Sequence, residues 1–236
     1  MIQSYHFQLS KPLPFTAAYA LYAALLEQAP GDFATRVHDS AVTPVSQHVC
    51  ADRWQVSLLG TEAIDALAPT LESLEELFLR RSQTRLELRL DQIRTVPSVE
   101  ALLQTPPIRR GTLRFVTPTA FKSAGAYQLL PTQRLVMQNL ILKWNGCFGE
   151  LCPIEDEGGG LEALANGLRY DAVELHTHSY SMKHTQIPGI LGSINFDNRL
   201  SDFHRQLAQA LLTFGTYSGL GIKTALGMGG LQLTEK

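Results

Sequence analysis

The sequence predicts an α+β chain made of two tandem ferredoxin-like domains. Runs that alternate apolar and polar residues, as half-buried strands do, are mixed with helical patterns in the order β-α-β-β-α-β. That order occurs twice, and a stretch rich in proline, residues 96–111, separates the two occurrences. We therefore expect domains at residues 1–105 and 106–236, and the total of 236 residues gives each an ordinary size.

The first predicted domain begins with a strand at residues 2–9, where apolar and polar residues alternate. A helix rich in Ala and Leu follows at 17–29, with Thr16 as the expected N-cap and Pro30-Gly31 as the stop signal. The remaining predicted elements are a short strand within 42–49, a strand at 54–59, a helix at 61–81 kinked near Pro69, and a strand at 84–93.

The second predicted domain begins with a strand at 112–117. Ser201 is the expected N-cap of a late helix whose apolar face is Phe203, Leu207, Ala210, Leu211 and Phe214. The other predicted elements are a helix at 132–144, a surface loop at 155–160, a strand pair at 171–182 and 189–196, and a last strand at 231–234.

Composition limits the classes of function. The formal net charge is −2, divided as −4 for residues 1–105 and +2 for residues 106–236, so the basic footprint of a nucleic-acid binder is weak. The three cysteines, Cys50, Cys147 and Cys152, are too few for a disulfide framework. Neither an apolar run of about 20 residues nor a secretory leader is visible, and we expect a cytoplasmic protein without membrane contact.

The most unusual stretch is GLGIKTALGMGG, residues 219–230, which we call the glycine segment. Gly219, Gly221, Gly227 and Gly229 allow positive φ, so that neighbouring amides can form a concave nest for a phosphate, and Lys223 would add positive charge. The segment is neither a P-loop nor a dinucleotide fingerprint, because no helix follows it. A hairpin connection required for close backbone packing is the alternative.

The glycine segment and the stretch LRFVTPTAFKSAGAYQLLP, residues 113–131, resemble the CRISPR-associated endoribonucleases of the sixth Cas family, which cut precursor guide RNA within its repeats. The resemblance covers most of the chain and is strongest from residue 112 onward. It implies two ferredoxin-like domains of the RNA-recognition type, in agreement with the order of elements above. It also implies cleavage without a metal or other cofactor, by attack of a 2′-hydroxyl on the adjacent phosphate.

The family's catalytic region resembles residues 21–47. The resemblance implies that His38 is the catalytic histidine, and imidazole has a pKa suited to both proton roles near neutral pH. A surface or capping histidine is the alternative for His38. Tyr22 corresponds to a tyrosine of the family's first helix, with packing in the core as the alternative. The family's lysine is missing, and Arg36 or Lys223 are the candidates for its role, while His48 is a candidate to share the proton transfers.

Arg109, Arg110 and Arg114, near the domain junction, are the predicted RNA-binding arginines, because the guanidinium group suits phosphate. His176 and His178 share one face of a predicted strand, and two histidines at this spacing can bind a transition metal. We favour solvent or RNA on that face, and a metal enzyme remains the competing hypothesis.

The predicted function is therefore a metal-independent endoribonuclease that produces a 2′,3′-cyclic phosphate and a 5′-hydroxyl. The alternative is a catalytically inactive subunit that only holds guide RNA. The expected partners are CRISPR repeat RNA and, as open possibilities, subunits of an effector complex and a second copy of the chain.

Overall fold

The computed structural model describes residues 1–31, 33–39, 43–80, 82–123, 125–155, 157–182 and 185–236, with side chains throughout except at residues 36, 38 and 39. Among the described residues, none of the helices combines the length and hydrophobicity that crossing a bilayer requires.

The first domain is a five-stranded antiparallel sheet in the order β2-β3-β1-β5-β4. Its central strand β1 buries Tyr5 and Phe7, as the alternating pattern predicts. The four strands other than β4 have the order expected of a ferredoxin-like unit. The elements are β1 (Ile2–Leu9), α1 (Ala18–Leu26), α2 (Phe33–Asp39), β2 (Val45–Cys50), β3 (Arg53–Leu59), α3 (Thr61–Glu72), β4 (Glu76–Leu79) and β5 (Thr84–Val96).

The second domain is a four-stranded antiparallel sheet in the order β11-β6-β10-β9, which is the same ferredoxin-like order. A short hairpin of β7 and β8 follows β6. The elements are β6 (Arg110–Thr119), β7 (Phe121–Ser123), β8 (Ala126–Gln128), α5 (Gln133–Phe148), α6 (Gly158–Gly167), β9 (Leu168–Met182), β10 (Thr185–Asn198), α7 (Asp202–Ser218) and β11 (Leu231–Glu235).

Each sheet is covered by helices that bury an apolar stripe. Helix α5 buries Leu140, Trp144 and Phe148 at spacings of four residues, and both aromatic rings contact Phe214 of α7. The connecting helix α4 (Val99–Leu103) also packs on this second core through Val99 and Leu102. The predicted domain boundary at 105/106 therefore falls after a helix that contacts the second domain.

The first domain differs from the prediction in three places. Residues 76–79 form strand β4, not the end of a helix, because Leu77 and Leu79 are buried while Glu76 and Phe78 are exposed. Residues 33–39 form helix α2, which was not predicted. Thr16 lies inside a 3₁₀ turn, Phe15–Ala17, and the N-cap position of α1 is Ala17.

The second domain also contains two corrections. Residues 158–160, predicted as a loop, begin helix α6, whose Leu161 and Leu164 are buried in the second core. Phe203, predicted to face the core, is 74% exposed, because it lies in the first turn of α7 before that helix packs on the sheet. Ser201 is the N-cap residue of α7, although its hydroxyl contacts His204 and not a backbone amide.

Candidate nucleic-acid interface and active site

The glycine segment is a buried connection between α7 and β11. Gly219, Gly221, Gly227 and Gly229 all have positive φ, between 66° and 100°. These glycines are buried, whereas Lys223, with φ of 54°, is exposed at the start of a 3₁₀ turn, Thr224–Leu226. The predicted conformation of the segment is therefore present, but most of its backbone faces the protein interior.

Eight amides of the segment donate hydrogen bonds inside the protein. Gly221 donates to the side chain of Asn139 at 2.7 Å, and Gly229 donates to Pro118 O at 3.1 Å. The remaining six donors are Leu220, Ile222, Leu226, Gly227, Met228 and Gly230. In the described part of the chain, only the amides of Lys223, Thr224 and Ala225 within residues 220–230 lack an acceptor. The nest expected from the spacing is thus much smaller than the segment.

Lys143 of α5, which no sequence pattern marks, hydrogen-bonds to the start of the segment. Its ammonium group donates to Ser218 O at 3.1 Å, to Gly219 O at 2.9 Å and to Thr224 Oγ1 at 3.3 Å. These carbonyls end α7, where the helix dipole favours a positive charge. Burial nevertheless lowers the pKa of Lys143 to about 7.

The first domain forms the other side of the glycine segment. Gln47 of β2 donates to Ala225 O at 2.8 Å and to Ala18 O at 3.0 Å, and so joins the segment to α1. A Cβ atom on Gly227 would lie 2.3 Å from Cβ of Ala18. From β9, the hydroxyl of Tyr180 donates to Leu226 O. The segment is therefore fixed between α1, β2 and the β9–β10 hairpin.

The predicted catalytic residues lie on the elements next to this contact. Tyr22 is on α1, as predicted, but only 6% of it is exposed, and burial raises its pKa. Its hydroxyl has no hydrogen-bond partner among the described residues. Arg36 and His38 belong to α2, and their side chains lie outside the described part of the structure.

His48 lies behind the glycine segment. It is 8% exposed, and a Cβ on Gly230 would lie 2.8 Å from its ring. Burial, with the nearby His6 as a smaller cause, lowers the pKa of His48 to about 4. Together with His6 it lines a cleft of about 860 Å³ between the two domains, which also includes Arg53 and Arg94. His48 is therefore uncharged at neutral pH.

Of the three predicted RNA-binding arginines, Arg110 and Arg114 lie in β6 and Arg109 directly precedes it. Arg109 and Arg110 lie at its beginning, next to Asp197 of β10, and Arg114 lines a shallow pocket on the second sheet. The glycine segment contacts the other end of β6, at Pro118 and Ala120. Eight residues separate Arg110 from Pro118, which corresponds to roughly 27 Å along a strand. Arg109 and Arg110 are thus far from the glycine segment.

His176 and His178 are exposed on β9, and the ring of His178 packs edge-on against Phe15 at 4.9 Å between centroids. Within the ranges given above, no group of three or more His, Cys, Asp and Glu side chains is arranged to hold a metal ion.

The chain is similar to known proteins in both sequence and structure. A family model described as CRISPR-associated endoribonuclease Cas6 matches residues 113–231. A Cas6 endoribonuclease of Mycobacterium tuberculosis is 30% identical over 224 residues, which span 90% of this chain and 70% of the relative. One of Streptococcus thermophilus is 29% identical over 227 residues, or 93% and 92% of the two chains. A solved Cas6 product complex has a TM-score of 0.78 and 26% identity, with both chains covered completely.

The fold and these relatives define an endoribonuclease built from two tandem ferredoxin-like domains. The chain belongs to the family of CRISPR-associated Cas6 endoribonucleases. The predicted family, fold class and enzymatic activity are confirmed, and the alternative of an inactive RNA-binding subunit is not favoured. The domain limits and the roles of the site residues stay predictions.

Proposed function

We propose that this chain cuts precursor CRISPR RNA within its repeats to yield guide RNA, as the activity of its relatives indicates. The observation that carries the assignment of the site is the contact between the glycine segment and the first domain. Gln47 hydrogen-bonds to the segment and to α1, which carries Tyr22, and β2 directly follows α2, which carries His38. RNA that touches the exposed Lys223 would pass beside these elements.

The reaction is attack of a 2′-hydroxyl on the adjacent phosphate, which leaves a 2′,3′-cyclic phosphate and a 5′-hydroxyl. It requires a proton acceptor, a proton donor and a positive group for the charge of the phosphorane. His38 transfers the protons, because the ordinary pKa of imidazole lies near neutrality. Arg36 or Lys223 replaces the missing lysine as the positive group. Tyr22, whose hydroxyl has no hydrogen-bond partner among the described residues, is the candidate for the second proton-transfer group.

RNA binding by the glycine segment uses its exposed part. Lys223 supplies a positive charge, and its own amide is a free donor beside it, whereas Thr224 and Ala225 are buried. Gly219, Gly221, Gly227 and Gly229 contribute by permitting the backbone turns that present this tip. Arg109, Arg110 and Arg114 contact the sugar–phosphate backbone elsewhere along the substrate.

The test is single-turnover cleavage of a cognate repeat RNA by the His38→Ala variant. We expect a loss of roughly 10²- to 10⁴-fold in rate with RNA affinity retained, because a general acid–base group is removed. His204→Ala, in the first helix turn of α7, is the matched control and should cleave at the wild-type rate. Wild-type cleavage should also persist in excess chelator. Full activity of His38→Ala would remove His38 from the site, and loss of activity with chelator would contradict a metal-independent reaction.

The remaining partners and the location are also proposals. We infer that the product stays bound and passes to subunits of an effector complex, and that the chain acts in the cytoplasm, with a homodimer as an open arrangement. Light scattering of the purified protein with and without cleaved repeat RNA tests the dimer. Copurification of the tagged chain with subunits encoded in the same locus tests the complex, and fractionation of cells tests the location.

A further inference from the structure

A pocket of about 370 Å³ lies at the N-terminus of α5, on the second domain. Three arginine side chains from different elements line it: Arg134 of α5, Arg169 of β9 and Arg199 from the residue after β10. Its other polar lining residues are Thr132, the N-cap of α5, Gln133, and Glu162 and Asn166 of α6. We call it the arginine pocket.

Each of the three guanidinium groups is oriented by an acidic neighbour. Arg134 contacts Glu162 at 2.8 Å, Arg169 contacts Asp171 at 3.6 Å and Arg199 contacts Asp197 at 2.9 Å. The arginine side chains remain 48%, 60% and 57% exposed, respectively. A guanidinium group has five N–H donors, so one carboxylate leaves donors of each group available to a ligand. The acids thus fix the side chains without filling their hydrogen-bonding capacity.

The surroundings of the arginine pocket favour an anion. Arg110 and Arg169 are the cross-strand neighbours of Asp197 on either side, and Arg109 also contacts Asp197, at 4.0 Å. Five arginines therefore lie around three acids in this part of the second domain. The first turn of α5, a helix of 16 residues, adds the positive end of its dipole.

The position of the arginine pocket relative to the glycine segment follows from the strand register. Arg169, Asp197 and Arg110 are aligned across one end of the sheet, whereas Thr177, Ile190 and Thr119 are aligned at the end that contacts the glycine segment. The separation along the strands is roughly 27 Å. At about 3.4 Å per stacked nucleotide, this corresponds to about eight nucleotides.

We propose that the arginine pocket binds backbone phosphate of the repeat RNA, about eight nucleotides from the nucleotides at the glycine segment. This inference rests on the proposed function, because it assigns a second contact to the same substrate. Arginine forks bind phosphate through paired N–H donors, and three forks around one concave site fix the path of the strand without reading its sequence. The pocket therefore contributes affinity and register, and the chemistry stays at the first domain.

The test uses Arg134→Gln/Arg169→Gln, which leaves Arg199 in place because its partner Asp197 is only 5% exposed. Arg80→Gln/Arg85→Gln is the matched control: it removes the same charge from two exposed ion pairs of the first domain, each with an N–O distance of 3.1 Å. We would measure the affinity of each variant for two RNAs, a full-length repeat and a repeat shortened to the cleavage site, as a function of salt concentration. The single-turnover cleavage rate would be measured at saturating RNA.

We expect the pocket variant to bind the full-length repeat roughly 10- to 100-fold more weakly than the control variant does. A plot of the logarithm of the RNA-binding constant against the logarithm of salt concentration has a negative slope, and its magnitude should decrease by about 0.7 to 0.9 for each phosphate contact that is lost. The rate at saturation and the affinity for the shortened RNA should match those of the control.

Equal affinity of the two variants for full-length RNA would overturn the proposal. Thermal stabilisation of the wild-type protein by inorganic phosphate, lost in the pocket variant while RNA affinity is unchanged, would assign the pocket to a free anion and would also overturn it. Failure of the proposed function has a different signature: the wild-type protein then neither binds nor cuts the repeat.

Discussion

Gly221→Ala tests whether the glycines of the segment serve packing inside the protein. Gly221 has φ of +82°, and a Cβ there would lie 2.2 Å from the backbone oxygen of Ala120. Gly125, in the turn between β7 and β8, has almost the same φ of +81° but no atom within 4 Å of such a Cβ. Gly125→Ala therefore carries the same backbone strain without the contact and is the matched control.

The expected difference in the free energy of unfolding between the two variants follows from these contacts. A non-glycine residue in the left-handed region costs about 1–2 kcal/mol, and both variants share this cost. Gly221→Ala must also displace Ala120 O, which accepts from Ile222 N at 2.9 Å, and must strain the bond of 2.7 Å from Gly221 N to Asn139. Each buried hydrogen bond lost in this way costs about 1–3 kcal/mol. We expect Gly221→Ala to be roughly 2–4 kcal/mol less stable than Gly125→Ala.

The assay is urea and thermal unfolding of both variants, followed by RNA binding below their melting temperatures. For a chain of this size, the expected difference in Tm is about 4–16 °C. RNA affinity of folded Gly221→Ala should be reduced only modestly, because its amide already donates to Asn139. Equal stability of the two variants would refute the packing argument. So would a Gly221→Ala protein of control-like stability that no longer binds RNA, because the glycine would then act on the ligand itself.

Two further predictions concern pH. Because the pKa of Lys143 in the folded protein is about 7, below its ordinary value near 10.5, the unfolded chain binds more protons between these values and wild-type stability should rise from pH 7 to 10. The free energy of unfolding of Lys143→Met should be about 1–3 kcal/mol lower than that of the wild type at pH 8, because the carbonyls of Ser218 and Gly219 lose their donor. The urea midpoint of this variant should not rise between pH 7 and 10. A rise equal to that of the wild type would show that Lys143 is not responsible. Because the pKa of His48 is about 4 when folded, stability should fall by about 3 kcal/mol as pH drops from 6.5 to 4. In His48→Gln this acid-dependent loss, followed by fluorescence-detected urea unfolding, should be smaller, and a loss equal to that of the wild type would show that His48 is not responsible.

Sequence patterns predicted the architecture because both domains use half-buried strands, whose alternation is local information. The prediction was wrong where the alternating run was only four residues long and where several glycines indicated a loop instead of a helix. Leu77 and Leu79 alone mark β4, and the glycines of 158–160 concealed the first turn of α6. Both elements are stabilised by burial in a core that no local window contains.

In the candidate site, too, the features that depend on local residue type were predicted, and those that depend on distant contacts were not. The glycine pattern predicted positive φ, which depends on residue type, and the structure has it at all four predicted positions. It did not predict where the amides point, because their acceptors, Asn139 and Pro118, come from α5 and β6. Lys143 was missed for the same reason. Nothing in the local sequence distinguishes this lysine from others in helices, because its acceptors are carbonyls at the end of α7, far along the chain.

These contacts separate the roles of the two domains. The second domain uses eight amides of the glycine segment for its own structure, so the segment has few donors left for a phosphate at the reacting bond. What remains exposed is Lys223 at the tip, held at a fixed distance from α1 and β2 by Gln47. In the proposed function, the second domain positions the strand and side chains of the first domain transfer the protons. Gln47 is buried and hydrogen-bonds to both the glycine segment and α1, so in this proposal it acts as a positioning residue between the two domains.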